Sequence, residues 1–205
     1  MKTYKTSLIL IFLLLGISPW AFSALPGMSS KHLRLVKDLM NNNLAYSQDA
    51  TTTNIIEWEE EIVDSLRQKK DYRNMFLMRQ MAVYAYSLQA KISEALKKAD
   101  AMMDEARLMK YNIGISLSYQ ALGDIYLNAG MRPEAVEEYE KAMKTLQATP
   151  HAEKIQERIF IQLVPTLIKL KRMDEAKAYL EHMSEICESK CLSPFLLYAY
   201  HAYYY

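Results

Sequence analysis

Seven residues between Ser116 and Thr149 constrain this chain more than any other feature. Tyr119, Leu122, Gly123 and Tyr126 fall at i, i+3, i+4 and i+7, and Ala135, Tyr139 and Ala142 at i, i+4 and i+7. That spacing puts each set on one face of an α-helix. Pro133 sits at the first turn of the second helix, where its missing amide costs nothing. A helical hairpin of this kind cannot bury its apolar face alone, so it implies stacked neighbours. The small residue Gly123 lets the paired helix approach closely, Ala135 and Ala142 do the same from the second helix, and Tyr119, Tyr126 and Tyr139 fill the wedges between.

Weaker copies lie in phase on either side. Glu94 and Ala95 hold the positions of Glu134 and Ala135, with Val83, Tyr86 and Ala99 where Gly123, Tyr126 and Tyr139 stand. Downstream, Asp174-Glu175-Ala176 repeats the motif, with Leu180 and Met183 in place of Tyr139 and Ala142. Phe160, Leu163, Val164 and Leu167 then take the places of Tyr119, Leu122, Gly123 and Tyr126. Ala95, Ala135 and Ala176 are 40 and 41 residues apart, not the 34 of Ser116–Thr149. The additional residues are expected to extend a helix or the inter-repeat loop, as around Ala148-Thr149-Pro150-His151. Val83 and Val164 predict wider helix crossings than Gly123 allows, and Pro165, inside a predicted helix, predicts a kink.

From Ser29 onward the apolar spacing is helical, with no sustained period-two alternation, so the fold class is all-α. Leu33, Leu35, Val36, Leu39 and Met40 outline a first helix. A break is expected over Ser47 to Thr53, with Thr53 or Asn54 capping a helix that bears Ile55, Ile56, Trp58, Ile62, Val63 and Leu66. Its acidic run Glu57, Glu59, Glu60 and Glu61 reads as a solvated face and suits the positive end of the helix dipole. After Lys69-Lys70-Asp71 a long helix runs through Met75, Leu77, Met81 and Tyr84, turns near Lys91, and is followed by another from Ser93.

On these motifs the chain resembles the tetratricopeptide repeat family, with one clear copy, two degenerate copies and a divergent helical pair at the front; a general α-solenoid of hairpins is the alternative. The resemblance implies an α-α superhelix of stacked antiparallel hairpins at about 29–70, 72–110, 112–149 and 153–188, with an incomplete final helix at 193–205. It also implies recognition of a protein or peptide along a groove lined by the first helix of each hairpin, without catalysis and without a cofactor. Carried over position by position, the groove comprises Leu77, Gln80, Tyr84, Ser87 and Leu88, then Leu117, Gln120, Asp124, Leu127 and Asn128, then Arg158, Ile161, Ile168 and Lys169. Family members that clamp a C-terminal carboxylate need Lys and Asn at several of these places. Here Gln80, Tyr84, Gln120 and Asp124 stand there instead, which argues against such a clamp.

The first 23 residues read as a secretory signal peptide: Lys2 and Lys5, an apolar run from Leu8 to Ile17, a break at Pro19, and Ala21-Phe22-Ser23 before Ala24. The run is about 10 residues, short for a helix crossing roughly 30 Å of hydrocarbon. An uncleaved anchor is the alternative. Export to the periplasm or the exterior follows, with residues 24–205 as one helical-repeat domain and no stable membrane insertion of that segment. Losing the leader removes two of 25 basic residues and none of the 24 acidic ones, leaving 23 − 24 = −1, a balance that argues against nucleic acid as a partner.

Cys187 and Cys191 are the only cysteines. In an exported chain they are disulfide candidates, provided that a helix end near Glu188-Ser189-Lys190 brings them together; free thiols are the alternative. The four histidines, His32, His151, His182 and His201, form no ligand pair or triad, so no metal site is expected. Past Ser193-Pro194 the aromatic segment Phe195 to Tyr205 predicts an open final helix suited to self-association. An alternative of a different class is the extracytoplasmic sensor region of a longer signalling receptor, of the sensor-kinase or transcriptional-regulator type.

Overall fold

A computed structural model describes residues 48–190. Among these residues all regular structure is helical: α1 Gln48–Gln68, α2 Tyr72–Leu88, α3 Ile92–Leu108, α4 Asn112–Asn128, α5 Arg132–Leu146, α6 Glu153–Lys169 and α7 Met173–Lys190. The chain divides into two compact units, residues 1–98 and 99–205, with the division inside α3. In the first unit α1 packs on α2, and in the second α4 packs on α5, α5 on α6 and α6 on α7, as a tetratricopeptide-like helical array requires.

Five of the helices, α1 to α4 and α6, end alike. Lys70, Ala90, Lys110, Gly130 and Lys171 all have positive φ, between 51° and 81°. Each N–H bonds the carbonyl three residues back, and the next residue reaches five back: Asp71 N to Leu66 O at 2.9 Å, Lys91 N to Tyr86 O at 3.0 Å, Tyr111 N to Ala106 O at 2.9 Å, Met131 N to Tyr126 O at 2.9 Å and Arg172 N to Leu167 O at 3.0 Å. These are Schellman closures, which satisfy carbonyls that a helix end otherwise leaves orphaned. Positions 70, 90, 110 and 130 are 20 apart, so one helix and its turn make 20 residues and a hairpin makes 40. The growth beyond 34 residues therefore lies mainly in the helices themselves. The single extra residue before Ala176 falls in the α5–α6 connection, where His151 takes the positive φ.

Two expectations for α1 are corrected. Residues 48–53 are helical, so the expected break is absent over that stretch, and Thr53 lies within the helix instead of capping it. Polar and β-branched residues lower helix propensity by only a few tenths of a kcal/mol each, less than the burial of Ile62, Val63 and Leu66 further along contributes. The acidic run consequently lies in mid-helix, away from the dipole's positive end, and Glu59 within it is buried while Glu57, Glu60 and Glu61 are exposed.

In the second unit the packing is tightest between α4 and α5. Ala135, Tyr139 and Ala142 are buried, as are Ala176 on α7 and Gly123 on α4; Tyr119, Leu122 and Tyr126 are half-buried. A methyl group added at Gly123 would lie 2.5 Å from Tyr139 Cε1, so the ring occupies the space that a side chain would need. Tyr139 then donates its hydroxyl proton to Asp124 Oδ1 at 2.7 Å. Ser116 Oγ donates to the Ala142 carbonyl at 3.0 Å, tying the start of α4 to the end of α5.

Between α6 and α7 the contact is made by aromatic edges. Phe160, fully buried, meets Tyr179 and His182 with ring centroids 6.0 and 5.9 Å away. The helix continues through Pro165, and Thr166 Oγ1 donates to the Gln162 carbonyl at 2.6 Å in the adjoining turn. Arg172 joins Glu140 of α5 at 3.4 Å to Glu175 of α7 at 2.6 Å. Burial pushes the Glu140 carboxyl up against the pull of Arg172, while the Arg172 hydrogen bond holds that of Glu175 down.

Candidate protein-binding face

The groove positions carried over from the family fall into three groups. Leu117 is fully buried, and Leu77, Gln80, Ser87, Gln120 and Arg158 are nearly so. Tyr84, Leu88, Asp124, Leu127, Ile161 and Ile168 are half-buried, and Asn128 and Lys169 are exposed. Leu117, Gln80, Gln120 and Arg158 are therefore corrected: they belong to the packed interior of their units and do not line an open surface. On either side of Leu117, Ser116 Oγ ties this part of α4 to the end of α5 and Ser118 Oγ donates to the Gly114 carbonyl at 2.9 Å.

What remains accessible on α4 is the C-terminal half of one ridge. Asp124, Leu127 and Asn128 lie three or four residues apart, close enough to form a continuous strip. Asp124 is held from beneath by the Tyr139 hydroxyl, which orients its carboxylate. One turn earlier Gln120 is buried, and its Oε1 has no hydrogen-bond partner among protein atoms. A buried carbonyl in that state is costly unless a donor reaches it. The strip thus combines an apolar centre, a fixed carboxylate and an amide that can both donate and accept. Lys169 ends the corresponding ridge on α6. In the first unit Tyr84 and Leu88 are the half-buried members, and the Tyr84 carbonyl accepts from Ser87 Oγ at 2.8 Å.

Sequence reasoning did not single out Glu59, because an acidic residue within an acidic run reads as solvated. The available signal was phase: Glu59 lies three and four residues before Ile62 and Val63, on the apolar stripe. For the cysteines, α7 continues through Glu188, Ser189 and Lys190, where a loop was expected. The Cys187 side chain, Cys191, residues 1–47, with the expected leader and first helix, and the aromatic segment after Ser193 lie outside what is described.

Residues 117–145 and 158–189 match the family model of the tetratricopeptide repeat. These spans cover most of α4–α5 and of α6–α7. No curated protein matches the chain. Among the described residues no helix is long and apolar enough to cross a membrane.

Proposed function

Because the chain is a tetratricopeptide-repeat protein, we propose that it is an exported, non-catalytic scaffold that binds a segment of another polypeptide along the first-helix faces of its hairpins. The observation that carries this reading is the ridge of α4, where Asp124, Leu127 and Asn128 stay accessible and the Tyr139 hydroxyl fixes the Asp124 carboxylate. A bound peptide's backbone N–H would reach the accessible carboxylate of Asp124 or the amide of Asn128, and Leu127 would give it an apolar contact. Export is supported by the basic start, the apolar run and the small residues around Ser23.

The test is site-specific photocrosslinking in cells with benzoylphenylalanine at Asn128 on the α4 ridge or at Lys144 on the outer face of α5. One discrete adduct from position 128, absent from 144, is the expected result. Equal labelling from both positions would sink the reading. In the same cells the mature chain should begin at Ala24 by N-terminal sequencing, and retention of Met1 would count against export.

A further inference from the structure

The first unit contains a cluster of charges unrelated to the binding face. Glu59 on α1 has a side chain only 2% exposed, yet two cations reach it: Lys98 Nζ from α3 at 2.6 Å and Arg79 Nη1 from α2 at 3.5 Å. Its neighbour Glu60 is 63% exposed and touches the same two cations, Lys98 at 2.9 Å and Arg79 at 4.0 Å. Three helices thus meet at two carboxylates, one buried and one wet, that share their counter-ions.

We propose that Glu59, Glu60, Arg79 and Lys98 form a latch that holds α1 to α2 and to the start of α3, and that it accepts a proton on Glu59 without opening, because Glu60 retains Lys98. Protonation removes the charge from the buried oxygen pair, where an anion is most costly. The cations then turn to a carboxylate already within reach and already solvated. A single buried carboxylate in this position would release both cations on protonation; the Glu-Glu pair does not.

The titration directions agree. Burial pushes the Glu59 carboxyl up, against the Lys98 hydrogen bond, and the charge of Glu60 adds to the rise. The Lys98 hydrogen bond holds Glu60 down, assisted by Arg79 and by Arg67 on its own helix. Burial pulls Lys98 down, but its hydrogen bonds to both carboxylates outweigh this and keep it charged. A raised carboxyl stabilises the fold as pH falls and loses that contribution as pH rises through its folded value. A lowered one contributes above the ordinary 4.5 and loses its contribution only below it. Between neutrality and that value only the Glu59 contribution changes, in favour of the fold as pH falls, while that of Glu60 is still intact, and α1 stays attached.

Hydrogen exchange of the α1 segment in the full chain, corrected for intrinsic rates and referenced to α4 and α5, reads the latch directly. Wild-type protection of α1 should hold within about twofold between pH ~7.5 and pH ~5. Glu60→Gln should match wild type at the higher pH and fall about fivefold at the lower. Lys98→Met should show the opposite trend, with low protection near neutrality that recovers in acid as Glu59 becomes neutral. Glu59→Gln should be at or above wild type and independent of pH. A Glu60→Gln profile that tracks wild type at both pH values would overturn the proposal, as would a fivefold acid loss in wild type itself. Glu60 is exposed, so its variant retains the fold, and unchanged protection of α4 and α5 verifies this.

Discussion

The α4–α5 and α6–α7 hairpins solve the same packing problem with opposite distributions of volume. At the closest approach α4 carries Gly123 and α5 carries Tyr139, whose ring lies where a Cβ would go. At the equivalent places α6 carries Val164 and α7 carries Leu180, both buried. The turns differ too: α4 closes on Gly130 at φ 81°, α6 on Lys171 at φ 60°. The two hairpins therefore share a backbone closure but not a residue at each place, and each fills its contact with its own combination of side chains.

Exchanging the volumes gives the largest expected effect. Gly123→Val should destabilise the second unit by about 3 kcal/mol, the upper end of overpacking costs. The double variant Gly123→Val, Tyr139→Leu carries the residue types of α6–α7 and should recover at least about 1 kcal/mol of that loss through coupling between neighbours. Urea unfolding followed by circular dichroism measures both, and a strictly additive double variant would break the comparison.

Tyr139→Phe keeps the ring and removes only the hydroxyl that Asp124 accepts. A loss of about 1.5 kcal/mol is expected, the low end for hydrogen bonds to a charged group at a half-exposed site. A loss near zero would mean that the ring alone secures α4 to α5.

The smallest effect concerns the turns. Lys171→Gly relieves a left-handed residue and should stabilise by up to about 1 kcal/mol, while Gly130→Ala should destabilise by a similar amount. Space is not the issue at Gly130, since nothing lies within 4 Å of an added Cβ. If both substitutions shift the melting temperature in the same direction, the two turns are not equivalent closures.

Much of this was legible from residue spacing. Ala95, Ala135 and Ala176 recur in register, and the helices fall around them. The left-handed turns were not legible at Lys70, Ala90, Lys110 and Lys171, because only Gly130 carries the residue that usually announces one. There the tertiary hairpin imposes the conformation and offsets its strain. At the candidate site, spacing along α4 located a ridge but could not say how deeply each turn of it was buried. Leu117 and Asn128 share a face by period, yet the first is buried and the second exposed.

The sequence by itself determined the helical class, the hairpin unit and its family, since all three follow from local periodicity and from the volumes at repeated positions. Only the tertiary structure decided which polar groups are removed from water. Glu59 and Glu60 are identical and adjacent, yet one is buried between Arg79 and Lys98 and the other faces solvent. Burial is a property of what packs against a residue, and for Glu59 those partners stand 20 and 39 positions away in the chain.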